Sequence, residues 1–404
     1  MSRGAKAPGR GVRRVAIIGA GPAGLQTALH LRSAGLEPIV FEEHGRIGAH
    51  KLCAGLISRR GAEELGLDLS ECLQTSVRGA RLYSPDGTML QVERSRPVAH
   101  VVDRRLFDQS LLKKARAAGI SVCTATRLVG RDDEALVLRS DGRTLRWGCD
   151  CVVGADGAGS TTARLFGLLP GDRPPLRSAQ VECEGTYDPH FVEVHLGNFA
   201  RGFFGWLIPI DNHRAKVGLA AVDGDDCRTR LRRLISDKGL GTPTHRIISG
   251  AIPFGPPLLR VASGSAALVG DAAFHTKATS GGGIVFGMRS AGILARCIAQ
   301  AAHAREATAR YAASLAGLHR ELLLHWKIRS WYNGLRDMEV DALFARLKKA
   351  GVEEFLSERG DMDAPSLFLP RLAASPRFWF MGGSLLVILF SQGPAAGVLA
   401  EEPA

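Results

Sequence analysis

Long apolar runs, paired cysteines and metal-ligand clusters are all missing from this 404-residue chain. Its most apolar stretch, Phe378-Trp-Phe-Met-Gly-Gly-Ser-Leu-Leu-Val-Ile-Leu-Phe390, is thirteen residues without a charge, short of the roughly 20 that cross a bilayer. The stretch reads either as core or as a segment dipping into a membrane surface, because its aromatic start and the flanking Arg371 and Arg377 suit an interface. The eight cysteines include no CxxC pair, which points to a reduced, cytoplasmic protein. Lysine is scarce, at ten of the 52 basic residues, and the positive charge is dispersed. With no RNP, zinc-finger or helix-turn-helix signature, nucleic acid is excluded as a partner, and no metal site is expected.

What the chain has is apolar material and glycine. It is 45% hydrophobic and 23% charged with a mean hydropathy of +0.02, a balance that excludes both a disordered chain and a polytopic membrane protein. A net charge of +12 suits an anionic substrate or a membrane surface, although an arginine bias also follows from a GC-rich genome. Residues 1–13 read as a disordered basic tail, since Arg3, Lys6, Arg10 and Arg13 come without an acid and Val15 to Ile18 is too short for a signal-peptide core.

The glycines cluster. Arg14-Val-Ala-Ile-Ile-Gly19 has the pattern of a buried strand, Ala23 to Ala34 has helical spacing, and Glu37 to Glu42 is a second strand, which together make a βαβ unit. Between strand and helix lies Gly19-Ala-Gly21-Pro-Ala23-Gly24. Its glycines allow a tight turn, close approach of backbone to a pyrophosphate, and close helix–strand packing. Glu42 stands where a carboxylate accepts hydrogen bonds from ribose hydroxyls. Two more glycine-rich turns follow strands, Asp156-Gly157 and Gly270-Asp271, and Gly281-Gly282-Gly283-Ile284 opens a helix whose first turn presents free N–H groups. Four separated segments therefore converge on one dinucleotide. No second strand–GxGxxG–helix unit appears, so no independent nicotinamide domain is expected.

In this order the motifs resemble the FAD-binding fold of the para-hydroxybenzoate hydroxylase type. Within that fold, Lys51-Leu-Cys53-Ala-Gly-Leu-Ile-Ser58, Asp103-Arg104-Arg-Leu-Phe-Asp108, Phe204-Gly-Trp206-Leu-Ile-Pro209 and Gly281-Gly-Gly-Ile284 are similar to the geranylgeranyl reductase family, and Gly360 to Ser366 to its archaeal digeranylgeranylglycerophospholipid reductase-like branch. The chain departs from the family's Tyr-x-Trp-x-Phe-Pro stretch and the Gly-x-Gly after it: Phe204, Ile208 and Ala220 replace Tyr, Phe and the last Gly. The resemblance implies FAD as cofactor, held by Gly19, Gly21, Ala23, Gly24, Glu42, Arg104, Asp156, Gly157, Gly270, Asp271, Gly282, Gly283 and Ile284. It also implies Cys53 and Trp206 at the reacting centre, and Phe204, Trp206 and Pro209 against the substrate. For Cys53 a small buried hydrophobe is the competing reading, for Arg104 a helix-start charge, and for Phe204 and Trp206 plain core packing. His275 and Lys277 read as surface or loop-structuring residues.

The expected fold is α/β, α+β overall. It comprises a Rossmann-like FAD-binding domain in two parts (14–164 and 256–310), an inserted antiparallel-sheet substrate domain (165–255, with a contribution from 70–100) and a helical C-terminal region (311–404). The expected reaction saturates C=C bonds of geranylgeranyl chains, by hydride delivery from flavin N5 with protonation of the other alkene carbon, on membrane ether lipids or prenyl diphosphates. The expected partners are the prenyl lipid, a membrane surface, and an external electron donor, either NAD(P)H or a ferredoxin-like protein. An oxygen-inserting flavin monooxygenase and a non-catalytic prenyl-lipid carrier are the alternatives.

Overall fold

The computed structural model describes residues 12–49, 53–132, 135–169, 173–223, 226–384 and 388. Lys51 and Leu52, residues 1–11 of the basic tail, and five positions of the 378–390 stretch lie outside them.

Strand Arg14–Ile18 is apolar on both faces because it is central: it pairs in parallel with Glu37–Phe41 on one side and Cys151–Gly154 on the other. Ser121–Cys123 and Ala266–Leu268 extend this parallel sheet outward, and Ala262–Ser263 closes one edge antiparallel. Helix Pro22–Ser33 packs on the sheet beside helix Ile284–Gln300, burying Leu25, Ala28 and Leu31 against Met288, Leu294 and Ile298. This is the α/β core expected from the sequence. A three-stranded antiparallel sheet (Thr126–Arg131, Leu136–Ser140, Arg143–Trp147) flanks it.

The second large sheet has eight strands, drawn from Gly79–Tyr83 and Met89–Glu93 together with six segments between Leu176 and Ile252. Its pairings are antiparallel except where Phe191–His195 meets Gly79–Tyr83. One face buries Val181, Leu207, Val217 and Leu219 against helix Cys227–Lys238. The other face carries Phe204, Trp206 and Ile208 and is covered by the C-terminal helices through Val340, Phe344, Leu369 and Phe378. The strand that leads to Asp271 is short, Ala266–Leu268, and the chain turns into a 3-10 segment at Gly270–Ala273, while the glycine run 281–283 opens a helix at Ile284. Within the 378–390 stretch, Phe378 and Met381 are buried whereas Trp379 is 65% exposed. No helix among the described residues is long and apolar enough to cross a membrane.

Glycine sets the closest approaches in the first domain. A Cβ at Gly24 would lie 2.0 Å from the Gly19 carbonyl oxygen, so Gly24→Ala forces helix Pro22–Ser33 away from its loop. The substitution is expected to destabilise the protein by about 1–3 kcal/mol, measured as a lower midpoint of denaturant unfolding.

Candidate active site

Two adjoining hollows run along the C-terminal ends of the parallel strands. One, about 340 Å³, is lined by Gly21, Pro22, Ala23, Cys53, Arg104, Gly157, Gly270, Asp271, Gly281, Gly283 and Ile284, with Ser249 to Pro253 along one side. The other, about 250 Å³, is lined by Gly19, Phe41, Glu42, His44, Arg127, Asp156 and Gly159. They share Gly21, Ala155 and Gly157 and so form one bent groove.

The groove suits a dinucleotide for reasons visible in its backbone. Helix Pro22–Ser33 starts at Gly21 and helix Ile284–Gln300 at Gly283, and neither has a capping side chain or an acid in its first turn. Two helix N-termini thus present unpaired N–H groups and positive dipole ends to one cleft, an arrangement that favours a phosphate-bearing ligand. Gly19, at φ +100°, brings its loop so near the 155–156 turn that a Cβ there would lie 2.4 Å from the Ala155 carbonyl oxygen. Gly157, at φ +78°, faces open space instead.

The acids of the groove mainly order its loops. Glu42 accepts hydrogen bonds from the backbone of Ala20 at 2.8 Å and from His44. Asp156 accepts from Ser160 Oγ at 2.6 Å and from Thr162 N at 2.8 Å, organising the start of the helix Thr161–Leu165. Asp271 accepts from Thr276 Oγ1 at 3.0 Å and lies where a side chain at Gly283 would collide with it. Gly24 and Gly282 stand behind the lining: a Cβ at Gly282 would sit 2.9 Å from Lys277 Cε.

Arg104 begins helix Arg104–Ala117, which Asp103 caps by accepting from Arg105 N and Leu106 N. Its guanidinium donates to Asp108, four residues on, at 2.9 Å and faces Cys53. Burial works against this charge, but the neighbouring Cys53 and Asp108 outweigh it and hold the arginine's pKa above its ordinary value. Behind Cys53 lies a lysine that sequence reasoning passed over. Lys216 is 4% exposed and donates to the carbonyls of Ala54 (3.1 Å) and Val102 (3.1 Å) and to Gln74 Oε1 (2.8 Å). Burial lowers its pKa, while three acceptors match the three donors of an ammonium. The one available signal was a lone lysine inside the apolar strand Arg214–Ala221.

Phe204, Trp206 and Pro209 do not line the groove; they lie on one buried strand beside it. Trp206 donates its indole N–H to Gln180 at 3.1 Å and lies on Gly218, whose missing side chain makes room for the ring. The contact back to the groove runs through Phe203, whose ring would be 3.2 Å from a Cβ at Gly281.

The chain matches the FAD binding domain family over residues 13–313. It is 30% identical over 312 residues to the digeranylgeranylglycerophospholipid reductase of Methanothrix thermoacetophila, covering 71% of this chain and 78% of that protein. It is 27% identical over 340 residues to the enzyme of the same name from Methanocella arvoryzae, covering 78% of this chain and 86% of that one. The chain belongs to the geranylgeranyl reductase family. A geranylgeranyl bacteriochlorophyll reductase-like protein from Thermoplasma acidophilum shares the fold, with a TM-score of 0.80 at 20% identity over 93% of this chain and all of that one. The protein is therefore an FAD-dependent oxidoreductase, and its uncapped helix ends and glycine turns fit that cofactor.

In this flavoprotein residues 275–278 are buried, with His275 and Lys277 at 0% and 4% exposure, and the loop reaches the surface only at Ser280. It is packed against helix Ala316–Asn333. His275 and His319 share a hydrogen bond between their Nε2 atoms at 3.1 Å, and Arg329 donates to the carbonyls of Ala278, Thr279 and Phe203. His325 Nε2 donates to the Asp363 carbonyl, and with the ring held neutral its Nδ1 accepts from Thr279 Oγ1 at 2.6 Å. Burial first, then the Lys277 charge, lowers the His325 pKa to about 3.

A histidine held neutral when folded takes up a proton only on unfolding, so its contribution to stability is full above about pH 6.5 and falls as pH drops from there toward 3. His325→Gln is expected to flatten the fall in unfolding free energy between pH 7 and 5 by about 1 kcal/mol per pH unit, measured by denaturant titration.

Proposed function

We propose that this flavoprotein saturates C=C bonds of geranylgeranyl chains borne by membrane ether lipids or prenyl diphosphates. The observation that carries the proposal is an aromatic row leading away from the glycine turn. Phe203 lies beside that turn, its ring 3.2 Å from where a Gly281 Cβ would sit, and stacks on Phe204 with centroids 4.1 Å apart, while Phe204 meets Trp206 edge-on at 6.1 Å. Ile208, Ile252 and Phe254 extend the apolar surface. A flexible prenyl tail gains about 0.8 kcal/mol for each CH₂ it buries, so such a wall holds it without polar contacts. The names borne by the archaeal relatives support the same substrate class.

An isolated alkene is unpolarised, and its reduction needs a hydride and a proton delivered to neighbouring carbons. FAD, when bound and reduced by two electrons from the external donor, would supply the hydride. Gly19, Gly21, Gly157, Gly270 and the two helix N-termini would hold its pyrophosphate and ribityl parts, Glu42 its ribose, and the Gly281–Ile284 turn its ring. Cys53 lines the same end of the groove beside Arg104, and this supports the reading in which its thiol gives a proton to the alkene. Lys216 keeps the Cys53 loop against the end of strand Ala99–Val102, and the aromatic row excludes water. Electrons come from outside the chain, from NAD(P)H or a ferredoxin-like protein, and the lipid is taken from a membrane surface.

Anaerobic incubation of the photoreduced protein with a geranylgeranyl lipid is expected to add about two mass units per double bond, and an oxygen-dependent gain of about sixteen would instead establish a monooxygenase. Cys53→Ala is expected to lower the single-turnover rate about 100-fold with KM for the lipid little changed, whereas an unchanged rate removes Cys53 as the acid.

A further inference from the structure

Among the contacts that join the C-terminal cap to the segments beside the groove is one buried carboxylate. Asp363, 1% exposed, lies in the short segment between helix Val352–Arg359 and the 3-10 turn Pro365–Leu367. One of its oxygens accepts from Lys277 Nζ at 2.5 Å, and the other accepts from Ser58 Oγ. Its main-chain carbonyl accepts from His325. Asp361, two residues earlier, fixes the segment by accepting from the backbone of Asp363 and Ala364 and by pairing with Arg60 at 2.9 Å.

The two side chains that Asp363 gathers belong to two segments that adjoin the groove lining, the loop before Gly281 and the strand after Cys53. Lys277 is the scaffold of the glycine turn: its N–H donates to the Gly282 carbonyl, its carbonyl accepts from Gly281 N, and its stem fills the space a Gly282 side chain would take. Ser58 ends strand Leu56–Ser58, which follows the Cys53 loop, and it caps helix Arg59–Glu64 by accepting from Gly61 N. Burial raises the cost of the Asp363 charge, yet the Lys277 ammonium and the Ser58 hydroxyl hold its carboxyl below the usual range. A buried ion pair of this kind adds little net stability over apolar packing, because desolvating both ions offsets their attraction. What it does fix is where its members stand.

We propose that Asp363 is a positioning residue for the reaction, by which docking of the cap sets the distance between the Gly281–Ile284 turn and the Cys53 strand. The site reaches its working geometry only when residues more than 300 positions apart in sequence are latched by this one carboxylate. The proposal rests on the reductase reading for its turnover measurement alone.

The test uses the FAD-loaded full chain with Asp363→Asn and with the double substitution Lys277→Met and Asp363→Leu, which removes both charges and leaves no buried ion unpaired. Asp363→Asn is expected to lower kcat for a geranylgeranyl lipid about 100-fold with KM changed less than about 2-fold, and to shift the visible flavin band. Amide hydrogen exchange is expected to rise in 55–61 and 277–283 while Arg14–Ile18 stays protected. The double variant is expected to recover the wild-type unfolding midpoint but to keep the low kcat and the shifted band. A double variant as stable as wild type with wild-type turnover and flavin spectrum overturns the proposal, as does exchange that rises evenly across the flavin domain in Asp363→Asn. Wild-type protein that leaves the lipid unreduced overturns the reductase reading instead, and the exchange and the flavin band then decide this inference by themselves.

Discussion

The Ala155 carbonyl oxygen occupies the place where any side chain at position 19 would have to go, and the Gly19 carbonyl does the same to position 24. Backbone is packed on backbone along this seam, and that contact brings the nucleotide helix, the Asp156 turn and the Gly270 turn to one line. Gly287 repeats the device on the other helix, where a Cβ would lie 3.1 Å from Gly270 Cα. Because glycine begins both helices, their first N–H groups keep no internal partner. A groove with two positive ends and hardly any side-chain bulk is the physical outcome, and it explains why an anionic dinucleotide is the ligand it fits.

Around this seam the protein places buried cations where their effect is to hold loops. Lys216 joins the Cys53 loop to strand Ala99–Val102, and Arg329 gathers three carbonyls of the loop and strand beside it while its guanidinium lies over the rings of Phe203 and Phe204. Burial lowers the Arg329 pKa to about 10, which still leaves it charged at neutral pH. Each of these groups loses much hydration on folding and regains it in carbonyl contacts, so removing one partner leaves a costly orphan. The consequence for function is rigidity at the groove's reactive end and continuity between that end and the apolar face of the eight-stranded sheet.

Much of this was legible in the sequence because its signals were local. The spacing of Gly19, Gly21 and Gly24 between an apolar strand and a helix, with Glu42 after the next strand, is a short-range pattern, although the space that Gly19 leaves is filled from far along the chain by the Ala155 carbonyl. The alternation of Phe204 and Trp206 likewise placed both on one face. What stayed hidden was long-range. Nothing near Lys216 says that its partners are Ala54, Gln74 and Val102, and nothing near Asp363 announces Lys277 and Ser58. His275 and Lys277 read as surface or loop-structuring residues because the helix that buries them begins some 40 residues later. Asp156 was legible as a turn residue, but the three hydrogen bonds it accepts from Ser160 and Thr162 show how far it serves the loop.

On the proposed reading the reactive end of FAD would lie between Cys53, Arg104 and the Gly281–Ile284 turn, and the prenyl chain would run from there along Phe203, Phe204 and Trp206. A crystal structure of the FAD-loaded protein with a geranylgeranyl lipid tests it most directly. Density is expected for the flavin ring against that turn and for the isoprenoid chain on the aromatic row beneath the cap. A flavin ring lying away from Cys53, or a lipid chain bound on another surface with the aromatic row still closed, would contradict it.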